Sequence, residues 1–370
     1  MENTNWYKLK NTSQISSPTL LVYPARIKAN IKLMLSIAGD VSKLRPHIKT
    51  HKMAEIVEMQ QEQNIQKFKC ATIAEAELLG QCKAKDVLLA MQLVGANQNR
   101  FLKLMETYPE TDFSTLIDNQ YTLAEFSEKA SISSKVISFY IDINNGMNRT
   151  GCTANETAVK LFASISENKE TKAKGLHAYD GHIRNTDISE RQTVCDTAFN
   201  FVLDLKKTIE QNGFKVENII AGGSPTFPIH AKRKGVETSP GTTLLWDARY
   251  KELLPDMPFH HAAVLLIRVI SKPEKDILCF DLGHKSVAPE MGFPRVKILG
   301  LEESEQIGQS EEHLVVRTPH ANEFKVGDCC YAIPFHICPT VAKYQEVLTV
   351  SNGEVTGAWA VAAQNRKITI

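Results

Sequence analysis

Leu44-Arg45-Pro46-His47-Ile48-Lys49-Thr50-His51-Lys52 is the most informative stretch of this 370-residue chain. It places Lys49 at the end of a short apolar-flanked run, close in sequence to two histidines, an arginine and a second lysine. Positive neighbours and partial burial lower the pKa of a lysine, and a lysine that loses its proton readily is an amine nucleophile. A basic cluster exposed at a strand end would have the same composition, so the rest of the chain has to decide between these two interpretations.

Short apolar or β-branched runs alternate with segments of helical period in the first two thirds of the chain. The predicted strands are Arg45–Lys49, Lys67–Ala71, Asp86–Met91, Asp112–Ile117, Val136–Ile143, Lys174–Tyr179, Asn218–Ala221 and Thr243–Trp246. The predicted helices between them include Ile73–Gln81, Thr153–Glu167 and Ser189–Gln211. Eight strand–helix units predict a (β/α)8 TIM-like barrel over residues 18–255, although a doubly wound parallel sheet would fit the same pattern.

After about Pro255 the helical segments disappear, and strand-like runs follow one another directly. These runs are Ala262–Ile270, Asp276–Leu282, Val296–Leu301, His313–Arg317, Cys329–Ile333 and Glu346–Ser351. They predict an all-β domain over residues 256–370. The leading run Thr19–Tyr23 fits either part, and residues 1–17 could join the β-domain. The predicted fold class is therefore α/β plus all-β, with the barrel first.

Composition argues against several classes of protein. Lysine and arginine (43 residues) nearly balance aspartate and glutamate (42 residues), so the chain has no electrostatic footprint for nucleic acid or an anionic membrane. No apolar run approaches the roughly 20 residues that a transmembrane helix needs. The run Met1–Trp6 lacks the layout of a signal peptide, and the eight cysteines form no CxxC pair, which is typical of reduced thiols. We therefore expect a cytoplasmic protein that binds neither nucleic acid nor membrane.

Functional side chains of a (β/α)8 barrel lie on the loops that follow the carboxyl ends of the strands. Lys49 ends the first predicted strand. Arg149 follows the fifth, in the stretch Gly-Met-Asn-Arg-Thr-Gly at 146–151, and its guanidinium would present a planar set of donors that stays charged. Tyr179 ends the sixth, His182 follows it, and both could hold or move protons. The same residue types also occur in structural turns, so their position after a strand is what makes them candidates.

Two glycine-containing turns follow the seventh strand and precede the eighth. Glycine exposes backbone N–H groups and lets an anion approach, and nearby hydroxyls add donors. Gly-Gly-Ser alone is a weak signal, but two such turns on neighbouring strands predict a phosphate cup, and no Walker A loop is present. The candidate ligands are Gly222, Gly223, Ser224 and Thr226 in the first turn and Gly241 and Thr242 in the second.

The predicted β-domain contains a His-x-Cys motif at His336 and Cys338. In an extended chain, residues i and i+2 share a face, so both side chains could reach one metal ion. Imidazole plus thiolate favours zinc, and two protein ligands would leave positions open for water or substrate. A core cysteine beside a hydrogen-bonded histidine is the alternative interpretation.

The segment from Arg45 to Lys52 resembles, nearly residue for residue, the lysine segment of the D-threonine aldolase and D-serine dehydratase family. The arginine loop, the glycine turns and the His-x-Cys motif follow in the order found in that family, and the resemblance covers nearly the whole chain. Members of the family are pyridoxal-phosphate (PLP) enzymes with the alanine racemase fold. The resemblance therefore implies a PLP-binding barrel followed by a β-domain, and it implies a homodimer, which composition does not show.

The resemblance also assigns roles to the candidate residues. Lys49 would carry PLP, Arg149 would contact the phenolic oxygen of the cofactor, and Tyr179 and His182 would line its ring and the substrate. The two glycine turns would hold its phosphate. In the D-serine dehydratase branch a His-x-Cys motif binds zinc at this place, whereas aldolase members carry His-x-Asp and a harder ion such as manganese or magnesium.

These assignments predict a PLP- and metal-dependent lyase acting on β-hydroxy D-amino acids. The Gly-Gly-Ser-Pro-Thr-Phe turn favours D-threonine-aldolase-like cleavage to glycine and an aldehyde, with Lys49, Arg149, Tyr179 and His182 at the reaction site. The His-x-Cys motif favours a D-serine dehydratase, which releases pyruvate and ammonia. An amino-acid racemase and a PLP-binding barrel without turnover remain open as further alternatives.

Overall fold

The computed structural model describes residues 5–370, so residues 1–4 of the N-terminal run considered above lie outside the described residues. The strands, β1–β16 in chain order, are Thr19–Val22, Lys67–Cys70, Asp86–Gln92, Asp112–Ile117, Ile137–Asp142, Thr171–Ala178, Asn218–Ala221, Val236–Thr238, Ala263–Glu274, Ile277–Phe280, Val296–Leu299, Glu305–Gln309, Leu314–Arg317, Cys329–Pro334, Glu346–Ser351 and Glu354–Ala360. The α-helices, α1–α10, are Pro24–Ala38, Ala54–Gln61, Ile73–Gln81, Ala96–Thr107, Gln120–Ile132, Glu156–Glu167, Ile188–Gln211, Phe227–His230, Ala248–Leu253 and Ile337–Val341.

The chain forms two compact units. One, called here the β unit, comprises the described chain as far as Leu33 together with Thr50–Glu55 and Thr242–Gln364. The other, called here the barrel unit, comprises Met34–Lys49, Ile56–Gly241 and Asn365–Ile370. These bounds differ from the predicted division at residues 18 and 255, because each unit is assembled from separate stretches of the chain.

The barrel unit is built on a parallel sheet of seven strands in the order β2-β3-β4-β5-β6-β7-β8. The connecting helices begin at side-chain caps that the sequence supplies. Thr72, for example, accepts a hydrogen bond from the backbone N–H of Glu75 at the start of α3, and the Glu75 carboxylate accepts one from the backbone N–H of Ala71. The order of elements confirms the predicted parallel, TIM-like architecture.

The two edges of this sheet are joined by the segment from Leu44 to His47. Leu44 forms a parallel bridge to Thr238 on β8, and His47 forms one to Lys69 on β2. The segment therefore occupies the eighth position of the barrel, but through isolated bridges rather than through the strand predicted at Arg45–Lys49. Pro46 has no N–H to donate, which shortens the ladder, and the chain turns into a 3₁₀ helix at Ile48–Thr50.

The prediction of a final barrel strand at Thr243–Trp246 was wrong. The last strand is β8, and Thr242–Leu244 forms a 3₁₀ helix instead. Leu244, Leu245 and Trp246 are fully buried, which gave the run its strand-like apolar character. An apolar run of four residues indicates burial but does not identify the element that is buried.

Charged side chains fill one end of the barrel interior, at the amino ends of the strands. Arg45 is fully buried, and its Nε donates to Glu237 Oε2 at 2.6 Å while NH1 and NH2 donate to the two oxygens of Asp86 at 2.7 and 2.8 Å. Lys67 adds a second cation to Glu237 at 2.6 Å. Of the basic residues in the 44–52 stretch, Arg45 therefore has a structural role, because it forms ion pairs inside the barrel.

We expect Arg45→Leu to lower the free energy of unfolding by about 3–5 kcal/mol, because the change leaves buried carboxylates without their main partner. Urea unfolding followed by circular dichroism measures the effect. The matched control is Lys103→Ala, which removes an exposed pair with Glu106 and should change the stability by no more than about 0.5 kcal/mol. Equal unfolding midpoints for the two variants would contradict the structural role of Arg45.

The β unit contains a nine-stranded sheet in which β12-β13-β10-β9-β1-β15-β16 form one path and β14 pairs with β9 and β11. The run predicted at Thr19–Tyr23 joins this sheet, because β1 lies between β9 and β15. Two further strands, β12 and β16, carry few buried apolar side chains and had no strand-like pattern in the sequence. The two-part architecture, a parallel barrel-like sheet and a mostly-strand unit, confirms the predicted fold class.

No helix within residues 5–370 combines the length and the apolar character that crossing a bilayer requires.

Candidate active site

Three of the predicted site residues meet at the carboxyl end of the barrel sheet. Lys49 lies in the 3₁₀ turn after the bridging segment, is partly buried, and places its Nζ 5.8 Å from the ring centroid of Tyr179. The guanidinium carbon of Arg149 lies 4.8 Å from the same centroid. Residues that are far apart in the sequence thus surround one aromatic ring, which binds cations through its negative face.

The loop that carries Arg149 is shaped by its own asparagine and glycine residues. The Asn144 side-chain oxygen accepts hydrogen bonds from the backbone N–H groups of Gly146 and Asn148 at 3.1 and 3.0 Å. Gly146 has a φ of 117°, and a Cβ there would lie 2.9 Å from Nε2 of His182. His182 therefore packs against the arginine loop, where its side chain is exposed to solvent, and it is not part of the cluster of cations on Tyr179.

The two predicted phosphate turns lie side by side. Ser224 Oγ accepts a hydrogen bond from the backbone N–H of Gly241 at 3.2 Å, which joins the turn after β7 to the turn after β8. A Cβ on Gly223 would lie 3.1 Å from Cε2 of Tyr179, so a larger residue there would crowd the tyrosine ring. At Gly222 a φ of 79° and a Cβ position 2.7 Å from the His230 ring exclude larger residues.

The hydroxyls of two predicted phosphate ligands have contacts within the protein. Thr226 is fully buried, and its Oγ1 donates to Asp180 Oδ1 at 2.8 Å and accepts from the backbone N–H of Gly223 at 3.3 Å. Thr242 belongs to the β unit, where its Oγ1 lies 3.7 Å from Cys338 Sγ. The proton of Thr226 is therefore donated to Asp180, because a hydroxyl has only one proton to donate, and the phosphate contact of Thr242 stays a prediction.

A buried polar chain beneath the ring of Tyr179 was missed from the sequence. Lys69 Nζ lies 2.7 Å from Nε2 of His177, and Nδ1 of the same imidazole lies 2.7 Å from Oδ1 of Asp142. Each of these three residues is only 3% exposed. Lys69 Nζ lies 5.6 Å from the Tyr179 centroid, so it shares the ring with Lys49.

Burial and neighbouring charges shift the pKa values of Lys69, His177 and Asp142. Burial and the charge of Lys49 lower the pKa of Lys69 to about 7. Burial and the charge of Lys69 also lower the pKa of His177, so its imidazole is neutral. Burial opposes ionisation of Asp142, but hydrogen bonds from His177, Thr150 and Gln92 hold its pKa below the usual value. The mouth of the barrel therefore contains a carboxylate, a neutral imidazole and an amine that titrates near neutral pH.

Two polar side chains near these elements are buried without any hydrogen-bond partner. One is Ser239, which directly follows β8 and is 4% exposed; its Oγ has no partner among residues 5–370. The other is Asn145 in the arginine loop, which is 6% exposed; neither its amide oxygen nor its amide nitrogen has a partner there. Buried groups without partners are costly and rare, and they commonly face a ligand. Together with the amine of Lys49 and the joined turns at Ser224 and Gly241, they fit a flat, phosphate-bearing aldehyde cofactor.

The predicted metal pair lies in the β unit, but the chain there is not extended as predicted. β14 ends at Pro334, His336 caps α10, and Cys338 lies in the first turn of that helix. Pro339 favours this arrangement, because proline is tolerated in the first turn, where its missing N–H is not needed. The two side chains nevertheless meet, since His336 shares a hydrogen bond with Cys338.

The surroundings of His336 resemble a metal-binding histidine. Its Nδ1 is hydrogen-bonded to the carboxylate of Glu290, an arrangement that orients metal-binding imidazoles. Burial lowers the pKa of His336, but Cys338, Glu290 and Asp247 outweigh it and raise the pKa to about 9. Cys338 Sγ also lies 3.1 Å from Thr50 Oγ1. The donor set fits a borderline-soft divalent ion with positions left for water or substrate.

A second group of possible metal ligands lies in the barrel unit. Within the described residues, Asp180, Cys195 and His230 are the one set of three whose ligand atoms lie within 4.8 Å of one another, and all three are buried. His230 Nε2 lies 2.8 Å from Asp180, while Arg233 NH1 lies 2.6 Å from His230 Nδ1. Because Nδ1 accepts from the arginine, Nε2 carries the proton and donates to the aspartate. A protonated nitrogen does not coordinate a metal, so we interpret this group as a structural hydrogen-bonded cluster.

Comparison with known proteins places the chain among characterised folds. Residues 22–248 match the family described as alanine racemase, N-terminal domain, and residues 262–350 match the putative serine dehydratase domain. A solved D-threonine aldolase from Filomicrobium marinum superposes with a TM-score of 0.87 at 23% identity, covering 94% of this chain and 96% of that one. At this identity the superposition shows the fold alone.

Three curated relatives share nearly the whole length. A D-threonine aldolase from Arthrobacter sp. is 26% identical, covering 95% of this chain and 93% of its own. A 3-hydroxy-D-aspartate aldolase from Paracoccus denitrificans (strain Pd 1222) is 24% identical, covering 96% and 93%. A D-serine dehydratase from Dictyostelium discoideum is 23% identical, covering 92% and 94%. The relatives are lyases of two kinds, aldolases and a dehydratase.

Proposed function

Because the chain belongs to the alanine racemase N-terminal domain family and carries a putative serine dehydratase domain after it, we propose that it is a PLP- and divalent-metal-dependent lyase of β-hydroxy D-amino acids. The proposed reaction is retro-aldol cleavage of a substrate such as D-threonine to glycine and an aldehyde. The observation that carries the proposal is the assembly of Lys49, Arg149 and Tyr179 at one end of the barrel, beside two turns joined through Ser224 and Gly241.

The cofactor contacts follow from the positions of these groups. PLP, when bound, supplies an electron sink for the bond that breaks at the substrate Cα. Lys49 presents the amine that would bond to the aldehyde carbon, and the ring of Tyr179 forms a flat surface beside it. The joined turns at Gly222–Ser224 and Gly241 would lie against the phosphate, with the buried Ser239 hydroxyl, which has no hydrogen-bond partner in the described part of the chain, as a donor to it. Arg149 keeps a permanent positive charge where the phenolic oxygen or the substrate carboxylate would lie.

Substrate chemistry at the β-carbon requires a group that polarises the hydroxyl and a group that takes its proton. A divalent ion at His336 and Cys338 would supply Lewis-acid polarisation of that hydroxyl. His182 is exposed beside the arginine loop, so we propose that it accepts the proton of the substrate β-hydroxyl. The homodimer and the choice among zinc, manganese and magnesium are further parts of this proposal, and both are inferred from the resemblance.

D-serine dehydratase activity is the second candidate function. The His-x-Cys motif supports it, as does the match of residues 262–350 to a putative serine dehydratase domain. The whole-length similarity to a D-threonine aldolase and the Gly-Gly-Ser-Pro-Thr-Phe turn support the aldolase instead. A racemase would need an acid–base group on each face of Cα and no metal, so the His336–Cys338 pair argues against it.

Product analysis distinguishes these activities. We expect the purified protein, with PLP and zinc or manganese, to convert D-threonine to glycine and acetaldehyde, and we expect a chelator to abolish the conversion because the β-hydroxyl then lacks its Lewis acid. The measurement is chromatographic identification of the products from D-threonine and D-serine, with and without EDTA. Pyruvate or 2-oxobutyrate with ammonia would establish the dehydratase instead. Interconversion of D- and L-enantiomers that resists EDTA would establish a racemase.

A further inference from the structure

Lys69 is a second buried amine at the mouth of the barrel, and the proposed function gives it no task. Its side chain points into the barrel from the end of β2, and its Nζ forms a hydrogen bond of 2.7 Å with Nε2 of His177 on β6. Lys67, two residues earlier on the same strand, faces the opposite end of the barrel and pairs with Glu237. A lysine is rarely buried without a carboxylate partner, and within residues 5–370 the hydrogen-bond partner of the Lys69 amine is a neutral imidazole.

The partners of Lys69 define the direction of its hydrogen bond. Asp142 accepts from Gln92 at 2.7 Å and from Thr150 at 2.8 Å on one oxygen, and His177 Nδ1 contacts the other. The carboxylate therefore holds a proton on His177 Nδ1, which leaves the lone pair of Nε2 to accept from Lys69. Because Asp142 and His177 are both buried, this arrangement holds the amine of Lys69 in one place.

The charges that face Lys69 come from four elements of the barrel unit. Lys49 and Arg149 are the cations, Asp142 and Asp180 are the anions, and the ring of Tyr179 lies 5.6 Å away. Burial has the largest effect and the charge of Lys49 the next, and together they lower the pKa of Lys69 to about 7. Slightly above neutral pH the side chain is therefore mainly a neutral amine with a free electron pair.

Lysine amines are ordinarily protonated near neutral pH, and an amine must lose a proton before it attacks a carbonyl carbon. We propose that Lys69 is the internal proton acceptor that prepares Lys49 for bonding to the cofactor aldehyde. The proton passes from the Lys49 ammonium to the Lys69 amine, and the electron pair left on Lys49 would form the bond to the aldehyde carbon while the C=O bond breaks and its oxygen leaves as water. Both amines lie within 6 Å of the Tyr179 centroid, at 5.8 and 5.6 Å. Lys69 acts through Lys49 and is a positioning residue in this scheme, which rests on the proposed function.

The test follows the rate at which the apoprotein acquires the yellow lysine–PLP adduct, measured by visible absorbance across neutral and alkaline pH. In the parent protein we expect the rate to rise near pH 7, the pKa of Lys69. In Lys69→Met we expect loading at neutral pH to slow by at least about tenfold, because each pH unit below an amine's pKa removes a factor of ten in the neutral form. Loading should recover at alkaline pH.

Two comparison variants distinguish the loss of proton transfer from two other effects, the loss of a positive charge and the loss of a lysine from β2. Lys69→Arg keeps the positive charge but does not give up its proton, so it should load as slowly as Lys69→Met. Lys67→Met removes the other interior lysine of β2 and should keep the neutral rise in the loading rate. Loading of Lys69→Met at the parent rate with the parent pH profile would overturn the inference.

Failure of this inference can be told apart from failure of the proposed function. If Lys69→Met loads normally and peptide mapping after borohydride reduction finds PLP on Lys49, only the role of Lys69 is wrong. If PLP is found on another residue of the parent protein, the proposed function itself loses its basis. A measurement that needs no variant to fold is the ¹³C NMR titration of the lysine Cε signals of the apoprotein. A Lys69 signal, assigned through its contacts with the His177 ring, that titrates in the ordinary lysine range would also overturn the inference.

Discussion

Lys49→Ala is expected to abolish both the yellow PLP adduct and the lyase activity, with a loss of at least about a thousandfold in kcat/KM. Lys49 is the partly buried lysine that follows the bridging segment and faces Tyr179, so its removal takes away the amine that bonds to the cofactor. Visible absorbance measures the adduct, and product formation from D-threonine measures the activity.

The matched control for this prediction is Lys43→Gln. Lys43 belongs to the same part of the chain, but its Nζ donates to the backbone carbonyl of Ala231. A glutamine keeps a donor there, and we expect the adduct and the activity to remain. A Lys49→Ala protein that stayed yellow after removal of free PLP would show that another lysine carries the cofactor and would contradict the assignment of Lys49.

Changes at the metal pair are expected to have the next largest effect. We expect His336→Ala to lower activity by at least about a hundredfold, because even outer-shell partners of metal ligands are worth about ten- to a hundredfold. Cys338→Asp should instead shift the metal preference from zinc toward manganese or magnesium, since a carboxylate is a harder ligand than a thiolate. Metal content by mass spectrometry and reactivation of the chelated protein by each ion measure the two effects.

Cys195→Ser is the matched control for the metal prediction. Cys195 belongs to the buried cluster with Asp180 and His230, and burial with the nearby Asp180 raises the pKa of its thiol to about 12, so it stays protonated. We expect Cys195→Ser to bind metal with parent stoichiometry and preference. If metal were lost from Cys195→Ser and kept by Cys338→Asp, the metal site would lie in the barrel unit and our assignment to the β unit would be wrong.

The residues that sequence reasoning found share one property. Arg149 and Tyr179 follow strands whose apolar runs are easily recognised, Lys49 follows the bridging segment in the eighth position of the barrel, and the carboxyl ends of parallel strands lie together. Their chemical types are also distinctive enough to stand out from ordinary turns. The helix bounds Ile73–Gln81 and the strand bounds Asn218–Ala221 agree with the structure for the same reason, since both elements show clear periodicity.

Lys69 was missed because the sequence pattern around it fits both a lysine exposed to water and a lysine inside a barrel. In Lys67-Phe68-Lys69-Cys70 polar and apolar residues alternate, which normally indicates a strand with one face in water. Here the lysines face the inside of the barrel, where Lys67 meets Glu237 at one end and Lys69 meets His177 at the other. Only the closed sheet, with its partners from β6 and β8, distinguishes an interior lysine from an exposed one.

Hydroxyl directions could not be predicted either. Thr226 and Thr242 stand in turns that look alike in sequence, yet one donates to Asp180 and the other lies beside Cys338. A sequence motif predicts a backbone turn. It does not predict the hydrogen-bond partner of a side chain, because that partner is far away in the sequence. The His-x-Cys motif shows the same limit, since its two side chains meet across a helix start rather than along a strand.

The bridging segment has a consequence for the biosynthesis of the protein. Leu44 and His47 are held by β8 and by β2, and β8 ends at Thr238. The ribosome releases β2 soon after the segment but releases β8 only after all the other strands of the barrel sheet. Pairing between such distant residues forms late in folding, so a nascent chain acquires its ordered nucleophile only when the barrel closes. Unfinished chains therefore carry Lys49 as an ordinary lysine of an unfolded segment, not yet placed beside the residues that surround it in the finished barrel.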